Sequence, residues 1–226
     1  MFAEDVWLSK VLGVSSFKMV TPLLTVSKDD LENKDFVYVK LKTDDFNLIN
    51  HLLSLNFTII ENNIILKTAK INLFDNNDIE CRFAIKHDEK ELRKIAVQSL
   101  QTSRFHIDDK ISNEKASYLK SEWVGSFFKA QRGEWMIVAK YGNQICGFLQ
   151  LLKENDNIII DLIAVKKEFQ RMGVGKSLIG FAYKKCATKR TSLIVGTQLN
   201  NLKSIHFYHK IGFQITDSKY TLHYHK

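Results

Sequence analysis

From about residue 79 onward, short apolar runs of strand type alternate with longer segments in which apolar residues recur every three or four positions. WMIVAK (135–140), QICGFLQLL (144–152) and NIIIDLIAV (157–165) predict three consecutive strands, the first two joined through YGNQ. Before them the pattern predicts a strand over about 80–85, a helix over 88–99, a polar loop through 103–109 and a helix over 112–129. After them it predicts a helix over 175–187, the strand SLIVGT (192–197), a helix over 201–211 and a final strand FQITDSKYTLHYH. This order describes an α+β domain with a central, mostly antiparallel sheet.

The first 78 residues read as a smaller αβ lobe. FVYVKL is a strand, Phe46, Ile49, Leu52 and Leu53 set a helix over about 45–55, and FTII and NIIL form a hairpin about Asn62 and Asn63. The polar segment KTAKINLFDNNDIE (67–80) is the expected crossing, with the boundary placed at 78/79.

The chain has 226 residues, 45% hydrophobic and 26% charged, which excludes disordered and fibrous classes. Its longest uncharged stretch, fifteen residues from Phe46 to Ile60, is too short and too polar for a membrane span. Glu4 and Asp5 stand where a secretory signal would be basic, so a cytoplasmic protein is expected. Cys81, Cys146 and Cys186 are widely spaced and read as reduced, buried thiols. The net charge of +8 is unevenly spread. Residues 1–78 hold eight lysines against eleven acidic residues, net −3, while residues 79–226 hold 25 Lys and Arg against 14 acidic residues, net +11. A basic domain of this kind suits nucleic acid, an anionic membrane surface or a small polyanion, and charge alone does not choose among them.

The choice turns on Gln170-Arg171-Met172-Gly173-Val174-Gly175, set between an apolar strand and an amphipathic helix. A helix N-terminus presents unpaired N–H groups and partial positive charge. Gly173 and Gly175 let the backbone approach a phosphate, and Lys176 and Ser177 add donors in the first turn. A P-loop would read GxxxxGK[ST], and a dinucleotide fingerprint needs a third glycine where Leu178 stands. Lys184, Lys185, Lys189 and Arg190 near the end of that helix complement its dipole. His206, His209, His223 and His225 fit no metal-binding spacing, and no metal is expected.

The turn Gln170–Gly175 resembles the Q/R-x-x-G-x-G/A turn of the GNAT N-acetyltransferases. Asn201, Ser204, Tyr208, Gly212 and Phe213 resemble that family's downstream Asn-x-x-Ala/Ser-x-x-x-Tyr-x-x-x-Gly-Phe segment. A narrower resemblance runs over nearly the whole chain. Trp7-Leu8-Ser9, Leu12-Gly13, LSLNFTIIENN, QTSRFHID (101–108) and SKYTLHY are similar to the dTDP-fucosamine acetyltransferases of the WecD type, a GNAT domain preceded by a partial GNAT-like half. The opening departs from that group's Phe-Phe-Gly by reading Val11-Leu12-Gly13.

The resemblance implies acetyl-CoA as donor, with its pyrophosphate on the backbone of Arg171 to Ser177, including Met172 and Val174, and with Gln170 also among the donor-binding residues. The pantetheine arm would lie along Ile163 and Val165, held by Asn201. It implies Tyr208 as general acid toward the departing thiolate, a role that suits a phenol protonated at neutral pH. Glu61 is the candidate base for the acceptor amine, and Asp161, a charge within IIIDLIAV, is the reserve. Arg104 is expected to clasp a diphosphate and Phe105 to stack on a base or sugar. The implied acceptor is a nucleotide-linked amino sugar, a dTDP-4-amino-4,6-dideoxyhexose for surface polysaccharide, with no nucleic-acid or membrane partner and a homodimer as default assembly. The alternatives are a GNAT enzyme acting on a peptide or small-molecule amine, or a non-catalytic protein that binds nucleic acid or senses acyl-CoA.

Overall fold

The computed structural model describes residues 1–72, 76–188 and 190–226, so part of the polar crossing 67–80, and Lys189 of the basic run, lie outside the described residues. The strands are β1 (Phe2–Glu4), β2 (Ser16–Met19), β3 (Phe36–Lys42), β4 (Thr58–Thr68), β5 (Ile79–Phe83), β6 (Trp135–Tyr141), β7 (Gln144–Glu154), β8 (Asn157–Val165), β9 (Ser192–Gln198) and β10 (Gln214–His225). The helices are α1 (Val6–Leu12), α2 (Phe46–Ser54), α3 (Glu89–Ser99), α4 (Arg104–Ile107), α5 (Asn113–Phe128), α6 (Val174–Cys186) and α7 (Leu202–Lys210). Among the described residues the strands form one sheet in the order β1-β2-β3-β10-β4-β9-β8-β7-β6-β5. Only β2–β3 and β8–β9 are parallel, so the mixed α+β architecture expected from the pattern is present.

One local reading is corrected. The hairpin about Asn62 and Asn63 is absent, because β4 runs unbroken with β10 on one side and β9 on the other. Two adjacent asparagines look like turn residues, but here Asn63 lies opposite Lys219 and Gln198, beside Gly196. A Cβ at Gly196 would sit 2.8 Å from Asn63 Oδ1, so the glycine makes room for a polar side chain inside a strand. The N-terminal start, to which the pattern assigned no element, forms β1, α1 and β2. Asp5 caps α1 by accepting from the Leu8 amide at 2.9 Å, and Gly13 ends it at φ 73°, where a Cβ would be strained.

One face of the sheet buries Leu178, Ile179 and Ala182 of α6, and the other buries Leu92 and Ile95 of α3 with Val124 of α5. β8 serves both. Ile158 and Ile160 face the α6 side, while Leu162 and Ala164 face the α3 and α5 side. The switch is a bulge: Leu162 lies opposite Gln150 and Ile160 opposite Leu151, leaving Asp161 as the extra residue. One inserted residue turns the side-chain alternation over and sharpens the local twist.

Candidate active site

The bulge at Asp161 coincides with an opening in the sheet. β8 pairs in parallel with β9 only from Asn157–Ser192 to Ile160–Val195, after which the strands diverge. The gap becomes a cleft of about 270 Å³, lined by residues 160–165 of β8, 195–198 of β9, Gln170, Asn201, Ser204 and Tyr208, with Ser103 and Lys120 at its far side. A larger concavity, about 480 Å³ beside Lys28, Glu32, Asn56 and Lys226, lies by the N-terminal layer and holds none of the residues of the glycine turn.

Asp161 itself meets four donors. It accepts from Arg132 Nε and Nη2 at 2.8 and 2.7 Å, from Trp123 Nε1 at 2.9 Å and from Gln150 Nε2 at 3.1 Å. Three of these bonds fall on Oδ2 and one, from Arg132, on Oδ1, so the carboxylate pins the bulge in a charge-assisted network rather than standing free as the reserve base. Arg132 and Gln150 are distant from Asp161 in sequence, and no pattern marked them.

At the turn, Arg171 (φ 66°) and Gly173 (φ 85°) both take the left-handed conformation, and Gly173 starts α6 with no side chain capping the helix. The first amides of α6 are thereby left for a ligand. The Ser177 hydroxyl is turned inward and donates to the Gly173 carbonyl at 3.3 Å. Gly175 has a different duty from the one expected. A Cβ there would lie 3.1 Å from the Phe207 ring, so this glycine lets α7 pack against α6. The two positions should respond differently to substitution. Gly173→Ala puts a Cβ on a left-handed residue, at a cost of about 1–2 kcal/mol, and is expected to raise KM for acetyl-CoA roughly tenfold. Gly175→Val should displace Phe207 and lower kcat instead, as steady-state kinetics would read.

Phe207 and Tyr208 are neighbours on α7. Tyr208 is 3% exposed, borders the cleft, and packs its ring against Phe207 and Phe213 with centroids 5.1 and 5.3 Å away. Burial pushes its phenol above the ordinary tyrosine range, so it stays protonated at neutral pH. Asn201 caps α7, accepting from the Ser204 amide and donating to Thr197 Oγ1, both at 3.3 Å, and its side chain also borders the cleft.

Glu61 stands within β4 beside a second bulge, where Thr221 lies opposite it and Leu222 already lies opposite Ile59. It is 8% exposed, accepts from Thr221 Oγ1 at 3.3 Å, and leaves Oε2 buried without a partner. It is therefore an enclosed carboxylate rather than a solvated turn residue. Three cations act on it through space, Lys40, Arg104 and Lys120. Desolvation first, and then the Arg104 charge, hold Lys120 down at about 8, while Lys40 stands exposed on β3. Lys120 is 8% exposed, with Nζ 4.4 Å from the centre of the Trp123 ring. Lys40 and Lys120 read in the sequence as ordinary charges on a strand and a polar helix, and only packing brings them to Glu61.

Arg104 is half-buried between the rings of Tyr38 and Phe105, at 4.3 and 4.4 Å. Phe105 does not stack on a ligand. At 1% exposure it belongs to a core of Leu8, Phe36, Ile111, Ala116 and Leu119, because the one-turn helix α4 directs it inward. Among the described residues one group has metal-ligand chemistry, Asp108, His223 and His225. Its nitrogens lie 2.6 and 2.8 Å from the same oxygen, Asp108 Oδ2, which are hydrogen-bond lengths. The three cysteines are free thiols, each pushed up by burial to about 11 or 12 and so protonated at neutral pH.

Burial also holds His223 down at about 4, below the ordinary 6.5, although Asp108 opposes the shift. An unfolded imidazole takes its proton near 6.5 and the folded one only near 4, so acidification through that window favours unfolding. Asp108, whose folded carboxyl is held below its ordinary value, adds to the loss only at lower pH. Stability at pH 5 should be lower than at pH 7 by about 2 kcal/mol from His223 alone, and denaturant titrations should find that component missing in His223→Asn.

Residues 94–213 match the family model described as Acetyltransferase (GNAT) family. The chain is a member of the GNAT acetyltransferase family. It is an acetyl-CoA-dependent N-acetyltransferase, and the splayed strands with an uncapped helix N-terminus beside them suit that donor. The chain is 24% identical, over 99% of its own length and 82% of the relative's, to the spore coat polysaccharide biosynthesis protein SpsD of Bacillus subtilis (strain 168). In fold this GNAT chain is similar to a functionally unknown conserved protein from Staphylococcus epidermidis. The TM-score is 0.67 at 13% identity, covering 94% of this chain and 84% of that one. It is also similar to a GCN5-related N-acetyltransferase from Kribbella flavida, with a TM-score of 0.63 at 10% identity, covering 92% and 80%. Among the described residues no helix is long and apolar enough to cross a membrane.

Proposed function

We propose that this acetyltransferase acts on the amine of a nucleotide-linked amino sugar, a dTDP-4-amino-4,6-dideoxyhexose, in surface polysaccharide biosynthesis. The observation that carries the reading is the set of three cations, Lys40, Arg104 and Lys120, around Glu61, with Lys120 lining the cleft that also holds Tyr208. A sugar nucleotide brings a diphosphate for the cations and an amine for the carboxylate in one molecule. A lysine-rich peptide or an aminoglycoside would meet like charge there instead. The relative named for spore coat polysaccharide biosynthesis supports the same class.

In this reading the turn from Gln170 to Gly173 and the first residues of α6 to Ser177 hold the donor's phosphates, and Ile163, Val165 and Asn201 line its arm. The bound donor supplies an activated acetyl group. Glu61 Oε2, which has no protein donor on it, accepts the proton of the acceptor ammonium directly or through one water. The free amine attacks the acetyl carbon, the carbon–sulfur bond breaks as the tetrahedral intermediate collapses, the Tyr208 hydroxyl donates its proton to the departing thiolate, and the excess proton on the nitrogen passes to the Tyr208 phenolate, leaving the neutral amide and free CoA. The test is thiol release from acetyl-CoA with dTDP-4-amino-4,6-dideoxygalactose, against peptide and aminoglycoside controls. Release with the sugar nucleotide alone is the expected result; release with a control and none with the sugar nucleotide overturns the proposal.

A further inference from the structure

Arg104 is held from three sides. Two are the rings of Tyr38 and Phe105, and the third is a nitrogen atom, His223 Nε2, 3.3 Å from Arg104 Nη1. A guanidinium has only donors, so Nε2 at that contact must offer its lone pair. The other ring nitrogen, Nδ1, lies 2.6 Å from Asp108 Oδ2. An ionised carboxylate only accepts, so the ring proton sits on Nδ1. The two contacts require the same tautomer, the neutral Nδ1–H form. Asp108 is fixed in turn: Oδ2 also accepts from His225 Nε2 at 2.8 Å, and Oδ1 accepts from the Lys110 amide at 3.1 Å. His223 is 1% exposed, with the Phe36 ring against it at 4.8 Å, so the imidazole cannot turn to reverse its bonds.

We propose that Asp108 and His223 are positioning residues that hold Arg104 in place to bind the acceptor's diphosphate, Asp108 by fixing the His223 tautomer and His223 by accepting from the guanidinium. This rests on the reading of Arg104 as an acceptor-binding residue. A fixed arginine loses less freedom on binding than one on a free stem, which favours affinity without adding a contact.

The test uses dTDP as probe, its affinity measured by calorimetry with CoA saturating, in the wild-type chain, His223→Asn, Arg104→Ala and the double variant. Asparagine places an amide N–H where Nδ1 stands, keeping the bond to Asp108, and removes the acceptor toward Arg104. The expected result is weaker dTDP binding by roughly tenfold in His223→Asn, with the double variant no weaker than Arg104→Ala. Wild-type affinity in His223→Asn, or the same loss when Arg104 is already absent, overturns the proposal, since a merely structural histidine acts regardless of Arg104. Nitrogen-15 NMR of the wild-type histidines decides separately. A protonated Nδ1 and an unprotonated Nε2 whose shift moves in Arg104→Ala is expected, and an Nε2–H tautomer or an imidazolium overturns it. If wild-type chain ignores dTDP while the NMR result holds, the acceptor class falls and the positioning of Arg104 stands.

Discussion

Glu61→Gln should lower kcat by roughly 10²–10⁴ and leave KM for acetyl-CoA within about twofold. Glutamine keeps the shape of the side chain and still offers an oxygen to Thr221 Oγ1, which donates to Glu61 at 3.3 Å, so β4 and β10 stay in register. It cannot take a proton. The buried, unpartnered Oε2 is the atom whose chemistry changes. Steady-state rates from pH 6 to 9.5 provide the check. In the variant, turnover should climb with pH as the acceptor amine deprotonates in solution, partly replacing the missing base. An unchanged kcat at neutral pH would remove Glu61 from the reaction. Asp161 offers no substitute, because all four donors that meet it are committed to holding the bulge of β8.

Tyr208→Phe carries the second large effect, a fall in kcat of roughly 10²–10³, with little change in stability or in either KM. The phenylalanine ring fits the same pocket against Phe207 and Phe213, so the change removes the hydroxyl and little else. Because burial raises the phenol above the ordinary tyrosine range, its ionisation does not set the alkaline side of the wild-type profile near neutrality. Loss of the hydroxyl should therefore lower the pH–rate curve without shifting it. A Tyr208→Phe enzyme as active as the wild type would mean that the thiolate departs without protonation from this residue.

The glycine turn, the strand–helix order after residue 79 and the tyrosine of α7 were legible because each depends on neighbours within a few positions. A left-handed Gly173, an apolar run and a helical repeat are local facts. Glu61 was legible as a residue but not as a place. Beside Asn62 and Asn63 it looked like part of a turn, whereas β9 and β10 close over both sides of the strand that carries it. Phe105 shows the reverse error: a polar loop suggested an available ring, and one turn of helix drove it into the core.

The sequence by itself determined an α+β sheet, a phosphate-suited turn between strand and helix, and a basic second segment of net +11. Those features follow from residue order, since periodicity, glycine conformation and charge act at short range. Tertiary structure alone decided that Lys40, Arg104 and Lys120 act on Glu61 through space, that Arg132 engages Asp161, and that Asp108, His223 and Arg104 form one chain of hydrogen bonds. Each of those groups joins residues from separate parts of the chain. The grouping about Glu61 depends on how β4 enters the sheet between β9 and β10, a long-range pairing that no local pattern encodes.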